Sequence, residues 1–116
     1  MKQEGTQTQR LMSSRDIKNV RLQGKTAVND LIVIQSLSNG LPVTRYAVIA
    51  TKSVGGAVQR NRCKRKMRPV IQKQLSNLSE GYDLIFIARK PILEASHTQL
   101  VNGVDGLCRK LDIKKV

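Results

Sequence analysis

The sequence predicts one α+β domain, a single-domain α/β sandwich in which helices cover a central mixed sheet. The chain has 116 residues, which suits one domain and is short for two. Apolar residues make up 40% of it and aromatic residues only 3%, so the core must be aliphatic. The main apolar segments are β-branched and apolar on both faces, which is typical of strands buried between helices.

The predicted elements follow one another in the order αβββαβα, in which one of the first three strands has no assigned range. A first helix is predicted over residues 14–23, capped by Ser14 and ended by Gly24. Long strands are predicted over residues 27–37, 43–52 and 82–90. Asn39-Gly40, between the first two of these strands, is typical of a β-hairpin turn.

A long helix is predicted over residues 55–75, with Cys63 and Met67 facing the sheet. Pro69 lies inside this helix and removes one backbone hydrogen bond, so we expect a kink or an early end near Arg68.

The last helix is predicted over about residues 97–111, with Ser96 and Gln99 as a capping box. The domain is predicted to occupy residues 10–113, between a disordered N-terminal tail, 1–9, and a C-terminal tail, 114–116.

The charge distribution predicts an anionic partner. The chain has 21 basic and 8 acidic residues, a net charge of +13, and such a domain repels itself and favours binding to a polyanion. No acidic residue lies between Asp30 and Glu80, whereas that interval contains basic residues throughout: Arg45, Lys52, Arg60, Arg62, Lys64, Arg65, Lys66, Arg68 and Lys73. A continuous stretch in which all charged residues are basic is typical of nucleic-acid-binding proteins.

Six of the nine residues from Arg60 to Arg68 are Lys or Arg, all on the long helix. Most charge runs are only solvated surfaces. Here Arg60, Lys64 and Arg68 repeat like charge at i, i+4 and i+8, where alternating acids and bases would stabilise the helix better. The pattern therefore favours RNA binding over a solubilising face.

Several classes of protein and of functional site are disfavoured. The acids are dispersed and His97 is the only histidine, so no protein-based catalytic site or metal site is predicted. Cys63 and Cys108 are expected to be buried, reduced thiols. No apolar run is long enough to span a membrane and no signal peptide is evident, so no membrane partner is expected and the expected location is the cytoplasm.

The segment "TKSVGGAVQRNRCKRKMR" (51–68) resembles the signature of the protein subunit of bacterial ribonuclease P. "RLMSSRDIKNVRLQGK" and "GYDLIFIARKP" resemble that family's opening helix and last strand, so the similarity runs from about Arg10 to Lys110. The resemblance implies a ribosomal-protein-like α/β sandwich with a left-handed βαβ crossover, although crossovers are right-handed in about 98% of cases.

The resemblance also implies a function. The holoenzyme removes the 5′ leader from precursor tRNA, and its RNA subunit carries the active site and most of the bound Mg²⁺. The protein is expected to bind that RNA, in a 1:1 complex, and to hold the leader, without catalytic residues of its own. The predicted RNA-binding residues are Lys52, Arg60, Asn61, Arg62, Lys64, Arg65, Lys66 and Arg68.

In the family, a cleft between the first helix and the sheet receives the leader. The residues predicted to meet the leader here are Ile17, Arg21, Gln35, Tyr46, Val48 and Ala50. Ile17, Arg21 and Gln35 stand where the family typically has aromatic side chains. Ile17 can still provide an apolar wall, and the guanidinium plane of Arg21 can stack on a base.

Three other functions are compatible with part of this pattern. A general RNA-binding or ribosomal-type protein would share the charge but not the cleft. A DNA-binding module would need a helix with a mixed base-reading face, whereas this one is nearly all cationic. A protein-only nuclease would need clustered carboxylates.

Overall fold

A computed structural model describes residues 8–115, which form a mixed sheet with helices on both faces. The elements are β1 (Thr8–Arg10), α1 (Ser14–Gln23), β2 (Lys25–Val28), β3 (Ile32–Ser38), β4 (Thr44–Ile49), α2 (Ala57–Leu75), β5 (Tyr82–Ala88) and α3 (His97–Lys110). Two 3₁₀ turns, Lys52–Val54 and Lys90–Glu94, precede α2 and α3. The strands lie in the order β1-β4-β5-β3-β2, which confirms the predicted α+β class with a mixed sheet.

Helix α1 has the predicted bounds but a different cap. The Oγ of Ser13, rather than Ser14, accepts the N–H of Asp16 at 3.4 Å, so the prediction of Ser14 as the cap is wrong. Gly24 ends the helix as predicted. A Cβ at Gly24 would lie 2.5 Å from the Val20 carbonyl oxygen, so only glycine fits where the chain turns from α1 into β2.

The predicted strand over residues 27–37 is in fact two strands. The Asn29 Oδ1 accepts the backbone N–H groups of Leu31 and Ile32, at 2.9 and 3.0 Å, and this closes a tight turn between β2 and β3. The two strands then pair antiparallel, with Ala27 opposite Ile34. An asparagine that binds its own following backbone is a turn signal, and here it interrupts an otherwise strand-like segment.

The predicted hairpin between β3 and β4 is wrong, because β5 lies between these two strands. β5 pairs antiparallel with β3 and parallel with β4. The turn at Asn39-Gly40 is present, with Gly40 at φ +70°, but it passes over the start of β5. Its anchor is the Asn39 N–H, which donates to the Gly81 carbonyl oxygen at 2.8 Å.

Helix α2 is the crossover between the parallel neighbours β4 and β5. It runs without interruption from Ala57 to Leu75, so the early end predicted near Arg68 is wrong. Because Pro69 has no N–H, the carbonyl group four residues before it lacks its helical partner, and the exposed position of Pro69 lets water bind that carbonyl instead. The buried side chains of Met67, Val70 and Ile71 hold this part of the helix on the sheet. A kink at Pro69 and the left hand of the crossover stay predictions.

Two apolar cores lie on opposite faces of the sheet. The larger lies under α2 and α3 and contains Phe86, Met67 and both cysteines. Cys63 and Cys108 are free and buried, as predicted, and burial raises the pKa of the Cys108 thiol to about 12. The smaller core lies under α1 and contains Leu11, Val20 and Ile85.

The ordered structure extends beyond the predicted domain limits at both ends. Thr8 and Gln9, assigned to the tail 1–9, belong to β1, which pairs parallel with β4; residues 1–7 lie outside the described residues. Lys114, assigned to the tail 114–116, pairs with Leu78 in an isolated β-bridge and binds Asp105. Hydrogen bonds from Lys114 and Arg109 lower the pKa of Asp105 to about 2.

Candidate nucleic-acid interface

The outward side of α2 is a cationic surface, formed by Asn61, Arg62, Arg65 and Arg68, and is called the outer face below. All four side chains are exposed, and none has a hydrogen bond or ion pair within residues 8–115. The helix has no acidic residue at all. Its opposite side is anchored by the fully buried Cys63, so the arginines are held on a rigid element with their donors unused.

The start of α2 is shaped by glycine. Gly55 has φ +131° and lies so close to Gln59 that a Cβ would meet the Gln59 Cβ at 2.9 Å. The Gly56 N–H donates to the Gln59 Oε1 at 3.1 Å, and the Arg60 Nη1 donates to the Gly55 carbonyl oxygen at 3.3 Å. Lys52 is exposed in the preceding 3₁₀ turn. The tight turn therefore brings Lys52 and Arg60 to the same end of the helix.

Lys66 does not match its predicted role as a direct RNA contact. Its Nζ donates to the carbonyl oxygens of Ile92, Leu93 and Ala95, at 2.9, 3.1 and 2.7 Å. These three bonds use all the donors of the ammonium group. Lys66 thus caps the 3₁₀ turn before α3, and only its charge contributes to the basic surface.

Arg45 belongs to the acid-free interval of the sequence but is paired inside the fold. Its Nε and Nη2 bind the two carboxylate oxygens of Asp83, at 2.8 and 2.6 Å, and its Nη1 binds Asp16 on α1 at 3.1 Å. The hydrogen bond to Asp83, opposed in part by burial, raises the pKa of Arg45. The basic interval therefore contains at least two residues, Arg45 and Lys66, that hold the protein together.

Helix α1 packs against one face of the sheet, and the family resemblance implies a leader-binding cleft between the two. Ile17 of α1 packs there against half-buried sheet residues, and Arg21 is exposed on the next turn of α1. The strand residues on this face are Leu37, Ala47, Ile49, Ile85 and Ile87. Ala47 and Ile49 were missed by the sequence analysis, although the period of two along a strand could have placed them with the Ile85 face. We call this surface the α1 cleft.

Gln35 lies on the same strand face as Leu37, below α1. It is 8% exposed, and its Nε2 donates to the Thr26 Oγ1 at 3.1 Å. Its Oε1 is buried and accepts no hydrogen bond. Gln35 is therefore a floor residue of the α1 cleft rather than an open contact surface.

Tyr46, Val48 and Ala50 do not share that cleft. All three pack against the larger core, on the face covered by α2 and α3. Successive side chains of a strand point to opposite faces, so an assignment shifted by one residue moves the whole set across the sheet. The predicted group of six is thus divided between two faces, with Ile17, Arg21 and Gln35 on the α1 side.

No three His, Cys, Asp or Glu side chains are grouped as a metal site within residues 8–115. In the same part of the chain, no helix is both long and apolar enough to span a bilayer. His97 is exposed at the start of α3.

Comparison with known proteins decides the family. The family model described as Ribonuclease P matches residues 6–112. This chain belongs to the ribonuclease P protein family. Ribonuclease P is a ribonucleoprotein endoribonuclease that processes tRNA, and a chain of this family is its protein component, which has an RNA subunit as partner.

Individual relatives of the ribonuclease P family cover nearly the whole chain. The ribonuclease P protein component of Caldanaerobacter subterraneus is 37% identical over 101 residues, covering 87% of each chain. That of Finegoldia magna is 34% identical over 109 residues, covering 91% of this chain and 93% of the relative. Among solved structures, the ribonuclease P protein of Thermotoga maritima has a TM-score of 0.75 at 24% identity, over 87% of this chain and 96% of that one. That of Staphylococcus aureus has a TM-score of 0.73 at 22% identity, over 91% and 97%.

Proposed function

We propose that the protein binds the catalytic RNA of ribonuclease P through the outer face of α2 and holds the 5′ leader of precursor tRNA in the α1 cleft. In this way it assists Mg²⁺-dependent removal of the leader by the RNA. The single observation that carries the proposal is the row of exposed, unpaired donors on the outer face, fixed by a buried opposite side.

The chemistry of the outer face suits an RNA backbone. Arg62, Arg65 and Arg68 present planar guanidinium groups that can each contact a phosphate through two donors. Because no acid competes for them on α2, their charge is available to a partner. Contacts of this kind read shape and phosphate rather than sequence, and their strength falls steeply with salt.

The α1 cleft suits a single strand of variable sequence. Ile17, Ala47 and Ile49 offer an aliphatic surface on which bases of any identity can pack. Arg21 at the rim supplies a cation that can stack on a base or neutralise a leader phosphate. Aliphatic packing with one guanidinium thus takes the place of the aromatic stacking that the family resemblance implies.

The Mg²⁺ ions of the reaction are held mainly by the RNA subunit in this proposal. The net charge of +13 lowers the repulsion between phosphates of the RNA and of its substrate, so the RNA fills its Mg²⁺ sites at lower ion concentrations. One protein pairs with one RNA subunit, and the complex acts on precursor tRNA in the cytoplasm.

We expect Arg21→Ala to weaken binding of precursor tRNA to the reconstituted holoenzyme about 5- to 10-fold, since one cation–base or cation–phosphate contact is lost. Binding of mature tRNA should change little, because it has no leader. Both Kd values are measured by titration of labelled tRNA. Arg15→Ala is the matched control, because Arg15 is also exposed on α1 but lies about 120° around the helix from Arg21.

Equal losses for precursor and mature tRNA would count against Arg21 as a leader contact. If the wild-type holoenzyme itself shows no preference for precursor over mature tRNA, the alternative of a general RNA-binding protein without a role in leader recognition is favoured.

A further inference from the structure

The face of β4 opposite the α1 cleft carries a half-buried tyrosine among apolar residues. Tyr46, Val48 and Ala50 are all partly exposed there, at the edge of the larger core. The Tyr46 hydroxyl has no hydrogen-bond partner within residues 8–115. Arg10 of β1 pairs with Tyr46 in parallel register, so its exposed side chain lies on the same face.

One flank of α2 borders these β4 residues. The opposite flank is turned toward α3, because Lys66 binds the turn before α3 and Lys73 lines a small pocket with His97 and Val101. α2 packs over β4 and β5, so the flank away from α3 lies along β4. That flank carries Arg60, Lys64 and Arg68, at intervals of one helical turn.

The row of cations on α2 and the row of β4 residues have matching lengths. From Arg60 to Arg68 the helix rises about 12 Å, and from Tyr46 to Ala50 the strand extends about 13 Å. As the returning element of a crossover, α2 runs antiparallel to β4, which places Arg60 beside Ala50 and Arg68 toward Tyr46. The two rows together form a strip of surface with an apolar floor, one aromatic ring and a row of cations along one side; we call it the β4–α2 groove.

No acidic residue belongs to the elements that form this groove. β1, β4 and α2 contain none, and Asp16 and Asp83 are bound to Arg45, whose side chain is on the other face. A cationic groove that also presents an aromatic ring is the arrangement by which proteins bind unpaired nucleic acid.

We propose that the β4–α2 groove binds an unpaired segment of the catalytic RNA, with one base stacked on Tyr46 and the flanking phosphates on Arg10, Lys64 and Arg68. This inference rests on the proposed function and adds a second RNA surface to it. The occupant is the catalytic RNA rather than the leader, because the groove is continuous with the outer face of α2 through Arg68, whereas the sheet separates it from the α1 cleft. The segment is unpaired, because bases inside an A-form helix are not free to stack on a side chain.

The first test is the affinity of the full-length protein for a bacterial ribonuclease P RNA. Tyr46→Leu keeps apolar packing but removes the ring, and it should weaken binding about 5- to 150-fold, the effect of losing one base–aromatic stack. Tyr46→Phe should bind nearly as the wild type. Tyr82→Leu is the matched control, because Tyr82 is partly buried against the same core. If Tyr46→Leu binds the RNA with wild-type affinity, the proposal that the RNA occupies the β4–α2 groove is contradicted.

A second pair of variants tests the cations along the groove. Lys64→Gln should lower the affinity for the RNA more than Lys73→Gln, which removes the same charge from the opposite flank. Equal losses would show that only the overall charge of α2 matters and would contradict a groove on this side.

Photocrosslinking identifies the occupant and does not depend on the fold tolerating Tyr46→Leu. Tyr46 is replaced by p-benzoylphenylalanine in a holoenzyme bound to precursor tRNA. We expect crosslinks to an unpaired segment of the catalytic RNA. Crosslinks to the leader alone, or none in an active holoenzyme, would contradict the proposal. A wild-type protein that fails to bind the RNA at all would instead remove the proposed function and this inference with it.

Discussion

Replacing Arg45 with leucine is expected to lower the free energy of unfolding by about 3–5 kcal/mol, because the buried Asp83 carboxylate then keeps its charge without its partner. The Asp83 side chain is only 6% exposed, and Arg45 supplies both of its ion-pair bonds. Asn39 would remain as its hydrogen-bond donor, at 2.8 Å. The same change releases Asp16, so α1 also loses a tie to the sheet.

Thermal and urea unfolding measure this effect, and the melting temperature should fall by roughly 10 to 20 °C. The control is Arg109→Leu, which breaks an exposed i, i+4 pair with Asp105 and should leave the melting temperature nearly unchanged. In the double variant Arg45→Leu with Asp83→Leu, the buried carboxylate is removed together with its partner, and only the partly exposed Asp16 loses an ion pair, so part of the stability should return. A single variant as stable as the wild type would show that Arg45 is not structural.

The triple variant Arg62→Gln, Arg65→Gln and Arg68→Gln is expected to bind the ribonuclease P RNA about 100-fold more weakly at physiological salt, since about three phosphate contacts are lost. The slope of log K against log salt should become shallower by about 2 to 3 for the same reason. Fluorescence titrations at several salt concentrations provide both numbers. The three side chains have no partner within residues 8–115, so the melting temperature should hardly change.

The charge-matched control is Lys18→Gln, Lys25→Gln and Lys110→Gln, which removes three exposed lysines outside α2. It lowers the net charge equally but leaves the outer face intact. If both triple variants lose the same affinity, the protein attracts RNA only by its total charge, and the outer face has no special role.

The sequence predicted α2 well because burial and charge both follow the helical period. Cys63, Met67 and Val70 repeat at that spacing and are buried, and the arginines between them are exposed. The αβββαβα order is likewise confirmed from α1 onward. The capping box of Ser96 and Gln99 is present, because such caps depend on residues three apart in the chain.

Two failures, the cap of α1 and the turn at Asn29, are local, whereas the strand order and the ion pairs depend on contacts that are distant in sequence. The insertion of β5 between β3 and β4 is set by pairing across more than 40 residues, such as Ser36 opposite Leu84, and no local turn signal carries that information. The ion pair of Arg45 with Asp83 and the capping of the 3₁₀ turn by Lys66 also join remote segments. A basic residue in an acid-free stretch therefore cannot be assigned to RNA or to the fold from sequence alone.

Family resemblance assigned six residues to the α1 cleft, and the error in that assignment was one of strand phase. Tyr46, Val48 and Ala50 alternate with Ala47 and Ile49, and only the packing of each set against a different core distinguishes the two faces. The misplaced set then forms the floor of the β4–α2 groove.

The most direct test of the central claim is cleavage of precursor tRNA by a bacterial ribonuclease P RNA at low Mg²⁺, with and without this protein. We expect slow cleavage by the RNA alone and restored cleavage at the correct 5′ end when the wild-type protein is added at a 1:1 ratio. The triple arginine variant should restore it only at much higher protein concentrations. A wild-type protein that binds the RNA but gives no stimulation at any Mg²⁺ concentration would contradict a role in leader removal.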